Sequence, residues 1–242
     1  MADLEYRIET VDVLGEDTLG DMFTLYSRYY DGTSEQLFRR DLAEKQYVII
    51  LHDQNGWLQG FSTAVVSEHQ FHGERLRSFF SGDTIVDESH WGQQALPTAW
   101  FRLTGHIKAA QPGTPLYWFL LVKGHRTYRY LRAFFRVFFP AHDRETPPQD
   151  KALMDMLARD RFGDAYDSGR SVVRFATSHG HLKSSWANIP DKDRKRPDVI
   201  FFLERNPGYV KGDELVCLTE LALTNLRPLA ERLFRKGMDN GI

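Results

Sequence analysis

Cysteine is almost missing from this 242-residue chain: Cys217 stands alone. One cysteine excludes an intrachain disulfide and any cysteine cage for a metal, and it fits a reducing compartment. Long apolar runs are missing too, and none approaches the roughly 20 residues a membrane span needs. The opening Met-Ala-Asp-Leu-Glu carries neither a basic nor an apolar leader region, so a cytoplasmic location and no membrane partner are expected. Neither sign of charge is in excess, with 31 Lys and Arg against 33 Asp and Glu and a formal net charge of −2. A nucleic-acid footprint requires a basic domain, so no nucleic acid is expected. The basic run at residues 192–196 is broken by Asp193 and flanked by Pro190 and Pro197, and it reads as a solvated loop. His-Glu-x-x-His, Cys-x-x-Cys, the Walker loop, Gly-x-Gly-x-x-Gly and Gly-x-Ser-x-Gly are all absent. Their absence removes the commonest zinc, nucleotide and hydrolase readings. The histidines are scattered, and the one close pair, His179-Gly180-His181 on a glycine turn, is a weak metal candidate.

What is present is a chain of mixed periodicity. Residues 6–13 alternate apolar and polar side chains and predict a strand. Residues 16–30 carry Leu19, Met22, Phe23 and Tyr26 at helical spacing. Ser34 precedes a second helical run and suits its N-cap. Strands are predicted at 47–52, 58–68 and 76–86, joined by turns at Asp53-Gln54-Asn55-Gly56 and Phe71-His72-Gly73-Glu74, which gives an antiparallel meander. A helix follows at 90–109, then an apolar, aromatic strand at 116–122 suited to burial on both faces. Another helix is predicted at 126–138. The strand–helix–strand passage implies a crossover and at least one parallel pair. Beyond Pro147-Pro148 the pattern weakens. A short helix is predicted at 151–159, strands at 171–177 and 198–204, and an amphipathic helix at 213–236 that Pro228 kinks. Cys217 falls on the apolar side of that helix.

Two polar clusters interrupt the apolar pattern. Ser81, Asp83 and Thr84 lie in a strand that is otherwise apolar, where an unpaired polar group carries a desolvation cost. Asp83 suits a general base whose protonation is set by burial, or a carboxylate that serves a bulge. The strand leads to Val86 and then to His90-Trp91-Gly92-Gln93-Gln94, a turn that opens a helix. Unpaired N–H groups and the helix dipole make such a turn a place for an anion. The second cluster, Lys123-Gly124-His125-Arg126-Thr127-Tyr128-Arg129-Tyr130, gathers cations, an imidazole and two phenols at the next strand-to-helix junction. In sheets with parallel strands, ligands bind at such carboxyl ends.

The order strand, two helices, antiparallel strands, helix, strand, helix resembles the GNAT-type acyl-CoA N-acyltransferase superfamily over roughly residues 6–140. Long-chain N-acyl amino acid synthases and acyl-homoserine lactone synthases share that resemblance. The family's phosphate turn, Arg/Gln-x-x-Gly-x-Gly/Ala, corresponds here to His90-Trp91-Gly92-Gln93-Gln94-Ala95-Leu96. Gly92 matches one family glycine, Gln94 or Leu96 stands at the second, and the usual basic residue is absent. The resemblance implies a mixed, mostly antiparallel sheet flanked by helices, with a V-shaped split between two parallel strands that receives the donor's pantetheine arm. It also implies a core at 6–140 within a domain at 1–205, an irregular insertion at about 141–170, and a helical extension at 206–242.

The implied activity is transfer of an acyl group to the amine of a small molecule. The donor is acetyl-CoA, a longer acyl-CoA or an acyl carrier protein thioester, and no metal takes part. Asp83 is the expected base, and Tyr128 or Tyr130 the expected proton donor to the leaving thiolate. Val86, Trp91, Gly92, Gln93, Gln94, Lys123, His125 and Arg126 are expected to hold the donor. The other reading is a non-enzymatic protein of the same fold that binds or sequesters a small apolar metabolite.

Overall fold

The computed structural model describes residues 3–242, so Met1 and Ala2, at the start of the segment read for a leader, lie outside the described residues. In chain order the strands are β1 (Glu5–Thr10), β2 (Tyr30–Asp31), β3 (Tyr47–His52), β4 (Leu58–Phe71), β5 (Glu74–Val86), β6 (Leu116–Val122), β7 (Tyr166–Asp167), β8 (Val172–Val173), β9 (His181–Leu182) and β10 (Glu214–Glu220). The α-helices are α1 (Glu16–Tyr29), α2 (Glu35–Ala43), α3 (Ala95–Ala110), α4 (His125–Phe134), α5 (Pro148–Phe162), α6 (Ser184–Ala187), α7 (Asp191–Arg194), α8 (Pro197–Arg205) and α9 (Pro228–Asn240). The chain divides into two compact units. The first holds residues up to Arg28, Ser34–Tyr117 and Leu221–Ile242; the second holds Tyr29–Thr33 and Trp118–Glu220.

In the first unit β1, β3, β4 and β5 lie side by side in that order, each antiparallel to the next. The inner strands bury Val48, Ile49, Ile50, Phe61 and Phe79 almost completely. The β4–β5 hairpin closes on His72 and Gly73, whose φ of 50° and 83° suit a tight turn between twisted strands. At residues 115–117 β6 begins beside β5 and parallel to it, where the Arg77 N–H donates to the Pro115 carbonyl at 2.8 Å. A strand that returns parallel needs a crossover, and α3 supplies it. Ser34 caps α2, its Oγ accepting the Leu37 N–H at 3.2 Å.

One helix pair in this unit approaches unusually closely. A Cβ on Gly105 of α3 would sit 2.1 Å from the Phe234 carbonyl oxygen, and a Cβ on Gly237 of α9 would sit 2.0 Å from that of Arg102. Only glycine at both places lets the two backbones meet. Leu96, Ala99, Leu103 and Ile107 of α3, with Ala230, Leu233 and Phe234 of α9, are buried.

In the second unit β6, β10, β8 and β7 lie side by side in that order, with β10 antiparallel to β8 and β8 to β7. A small separate ladder joins β2 to β9. Tyr128, Phe135 and Phe202 are fully buried here, and Tyr128 packs against Phe138, Phe201 and Phe202.

Several expected elements differ. The expected helix at 213–236 is two elements: β10 and then α9. Pro228 does not kink a helix but starts one, at a first-turn position where its missing N–H costs nothing. Cys217 is buried as expected, but in a strand. Residues 198–204 are helical, not extended, because Pro197 opens α8 at its N-terminus. The strand expected at 171–177 shrinks to β8, and the helix expected at 126–138 stops at Phe134. Residues 191–194 form one helical turn.

Candidate functional site

The expected site residues fall into two groups, one in each unit. In the first unit, Asp83 sits at a fault in the β4–β5 ladder. Ser62 pairs with Thr84 and Ala64 with Ser81, so Thr63 faces the two residues Gly82 and Asp83. That count is a β-bulge, a device that bends a strand and re-aims a side chain. Gly82 leaves room there for two side chains, since a Cβ would lie 2.5 Å from Thr63 Oγ1 and 2.6 Å from Lys45 Cε, and both would have to shift. The stem of Lys45 therefore lies across the bulge, while its ammonium donates to the Asp41 carbonyl at 2.7 Å. Ser62 and Thr84 share a hydrogen bond of 2.7 Å. Asp83 is half-buried. The sequence exposed the polar step but not the reason for Gly82 or the part of Lys45; a glycine inside a strand is the signal that pointed there.

From the bulge, β5 runs to Val86 and into a short turn. Asp87 Oδ1 accepts the Ser89 N–H at 3.2 Å and caps a 3-10 turn over Glu88–His90. Gly92 has φ of 90°. The helix itself starts at Ala95, five residues later than expected. Gln94 is its N-cap, and its side chain makes no capping hydrogen bond. Pro97 stands in the first turn, where it withdraws a donor that no helical carbonyl could have reached. Gly92 and Gln94 are exposed. The long α3 thus opens without a side-chain cap, and its dipole favours negative charge there.

Three neighbours have other work. Trp91 Nε1 donates to the Val86 carbonyl at 2.8 Å, which occupies both residues in holding the turn. Gln93 Oε1 accepts the Leu4 N–H at 2.8 Å and its Nε2 meets His90 Nδ1 at 3.2 Å, so this side chain ties the chain's start to the turn. The Gln93 backbone N–H is engaged as well, donating to the His90 carbonyl at 3.4 Å.

In the second unit, α4 starts at His125 behind Gly124. Tyr128 is fully buried, and its hydroxyl donates to the Pro140 carbonyl at 2.9 Å. Burial pushes its pKa far up, with Cys217 and Asp198 adding to the effect. The expectation that Tyr128 protonates a leaving thiolate does not fit this placement: the phenol is a core group with its proton committed. Tyr130, two residues on, is 42% exposed and stacks on Phe134 with ring centroids 5.8 Å apart. His125 is also misplaced for an anion ligand. It is 2% exposed, its Nε2 has no hydrogen-bond partner, and burial, aided by Arg126, lowers its pKa to about 4. A neutral, buried imidazole offers no charge to a phosphate.

Lys123 is held inside the unit. Its ammonium lies 3.6 Å from Glu214 Oε1, donates to the His179 carbonyl at 3.4 Å and stands 5.4 Å above the Tyr30 ring. Glu214 was missed because the segment around it reads as helix. Arg126 donates to the Trp186 carbonyl at 3.2 Å and is half-buried. His179 stacks on Phe175 at 4.0 Å.

No family model and no curated protein matches the chain. Solved structures similar to it include a probable N-acyltransferase from Enterococcus faecalis V583, at 17% identity and a TM-score of 0.40, over 55% of this chain and 33% of that one. This chain therefore spans about a third of that protein's length. A GNAT family N-acetyltransferase from Escherichia coli in complex with CoA is similar at 17% identity and 0.37, over 55% and 71%. Glucosamine-6-phosphate N-acetyltransferase from Arabidopsis thaliana is similar at 14% and 0.36, over 49% and 82%. The order β1, α1, α2, β3, β4, β5, α3, β6, α4 and the mixed, mostly antiparallel sheet flanked by helices are the architecture expected from the sequence. Among the described residues no helix is long and apolar enough to cross a membrane.

Proposed function

We propose that this protein is an N-acyltransferase that moves an acyl group from a thioester donor, acetyl-CoA or a longer acyl-CoA, to the amine of a small molecule in the cytoplasm. The observation that carries the reading is the bulge at Gly82-Asp83. It sets a half-buried carboxylate in a strand that leads, within the same unit, to the uncapped start of α3.

The chemistry asks little of the protein beyond placement. A substrate ammonium is deprotonated, and Asp83 takes the proton, directly or through a water. The amine nitrogen adds to the thioester carbonyl, a C–N bond forms, and the C–S bond breaks. The thiolate leaves and takes a proton from water. Backbone N–H groups at Gly92, Gln94 and Ala95 hold the donor's phosphates.

Two measurements test this. The protein's melting temperature should rise by a few degrees with an acyl-CoA or CoA at many times its Kd, since a ligand of the native state stabilises it by mass action. Asp83→Asn should keep that rise and reduce thiol release with an amine panel by about 10²–10⁴-fold. A variant that melts early yet turns over normally would show that Asp83 only stabilises the bulge.

A further inference from the structure

β1 is the outermost strand of its sheet. β3 lies on one side, and among the described residues no strand lies on the other. The Val11 N–H donates to the Gln46 carbonyl at 3.0 Å, which fixes the phase of the β1–β3 ladder. Glu5, Arg7 and Glu9 therefore turn their backbone groups toward β3, and Tyr6, Ile8 and Thr10 turn theirs away. This bare edge has definite ends. Gln93 Oε1 takes the Leu4 N–H at 2.8 Å, and the 3-10 turn over Val11–Val13 ends the extended backbone.

Edge strands are commonly kept single by a proline, a bulge or charge of one sign. β1 holds no proline, and its register with β3 runs without a shift. Its charges alternate in sign. Glu5, Arg7 and Glu9 share one face of the strand, and Arg7 Nε lies 3.3 Å from Glu9 Oε1. The other face carries Tyr6 and Ile8, both half-buried, and Thr10, exposed. The Tyr6 hydroxyl accepts a hydrogen bond from Arg102 Nη1 at 2.8 Å.

We propose that β1 is the surface through which two copies of this chain associate, strand against antiparallel strand about a two-fold axis centred on Ile8. Such an interface must be complementary to itself, and charge selects the register. Centred on Ile8, the two Ile8 residues exchange both backbone bonds, Tyr6 pairs with Thr10, and Arg7 of each copy lies opposite Glu9 of the other. Those charged pairs fall at the positions without hydrogen bonds, where side chains approach closest. Centred on Arg7, arginine meets arginine and Glu5 meets Glu9. Centred on Glu9, glutamate meets glutamate. A centre at Tyr6 needs the Leu4 backbone that Gln93 holds, and one at Thr10 runs into the 3-10 turn. The pairing is independent of the acyl-transfer reading.

The test is the oligomeric state of the full chain. Sedimentation equilibrium from about 1 to 300 µM should show a reversible dimer, weak because two six-residue strands make a small interface. Arg7→Glu should raise the dissociation constant by about tenfold or more, since both opposed pairs become like charges. The double variant Arg7→Glu, Glu9→Arg exchanges the two charges and should restore the dimer. Ile8→Pro should abolish it, because the lost N–H is the one that faces outward, and the ladder to β3 keeps its bonds. A chain that stays monomeric over the whole range overturns the proposal. So does a dimer that survives Ile8→Pro, or one that the charge exchange fails to restore. If Ile8→Pro does not fold, as judged by circular dichroism, the two charge variants decide the matter alone.

Discussion

Gly237→Ala should destabilise the protein although alanine is the better helix former. The added Cβ would lie 2.0 Å from the Arg102 carbonyl oxygen and 2.7 Å from that residue's carbonyl carbon and Cα. An ordinary contact begins at 3.4 Å, so α9 must withdraw from α3 by about 1.4 Å, and backbone cannot swing aside as a side chain would. A gap of about 0.5–1 Å already forfeits a quarter to a half of the dispersion across an interface. Overpacking of this kind costs about 1–3 kcal/mol and here belongs at the upper end. The gain in helix propensity returns about 1 kcal/mol, which leaves a net loss of about 2 kcal/mol. For a chain of this size each kcal/mol moves the melting temperature by about 2–4 °C, so a fall of about 4–8 °C is expected. Gly20→Ala is the internal control. Gly20 lies inside α1 with nothing within 4 Å of its Cβ position, so alanine there should raise stability by about 0.5–1 kcal/mol. Gly105→Ala should behave like Gly237→Ala, and the double variant should cost less than the sum, because one separation accommodates both methyl groups. Differential scanning calorimetry on the four variants decides it. A Gly237→Ala protein that melts at or above the wild type would refute the argument.

Arg77, on β5, is 4% exposed and spends its guanidinium on the end of α3, donating from Nη1 to the Ile107 carbonyl at 3.1 Å and from Nη2 to that of Gln111 at 3.3 Å. Arg77→Met should cost about 2 kcal/mol by chemical denaturation, since it orphans carbonyls at the negative end of a helix. Arg77→Lys should recover only part of this, because a lysine has no planar fork. His125 sets a pH dependence of definite sign. Its pKa is about 4 in the fold against about 6.5 unfolded, so between those values the unfolded chain binds the extra proton. Stability is full above pH 6.5 and is lost as pH falls toward 4. The loss is about 3 kcal/mol, and urea titrations from pH 7 to pH 4 should show that His125→Gln loses that much less than the wild type.

The central architecture is legible because local and tertiary signals agree there. Residues 47–52, 58–68 and 76–86 alternate or run apolar, end in turns that favour positive φ, and become β3, β4 and β5. Ser34 caps α2 as its residue type predicts. The sequence misleads where a segment fits two periods. Glu214–Glu220 reads E-L-V-C-L-T-E, and its leucines also suit a helical stripe that continues into α9. The deciding fact is non-local: the Phe139 N–H donates to the Leu218 carbonyl, and the Leu218 N–H to that of Phe139, each at 2.8 Å. No window around Leu218 contains Phe139. Proline misleads in the same direction. Pro197 and Pro228 read as breakers, yet both sit at the one helical position that proline suits.

The site shows the same limit at the level of single side chains. Residue type marks Asp83, Tyr128, Tyr130, Lys123 and His125 as equally able to do chemistry. Burial separates them. Tyr128 and Tyr130 differ by two places, about 200° around a helix, and that rotation sends one phenol into the core against Pro140 and leaves the other accessible. The same periodicity, counted back from Tyr128, puts His125 one turn away on the buried face, where a charged imidazole is disfavoured. A helix reading that tracked which face must be apolar would have favoured Tyr130 over Tyr128. Asp83 is different. Its strand is buried at every position from Leu76 to Phe80, and the extra residue of the bulge, opposite Thr63, shifts the register where the half-buried Asp83 stands. The glycine in the bulge is visible in the sequence; the lysine stem that fills the space above it comes from just beyond α2 and is visible only in the fold.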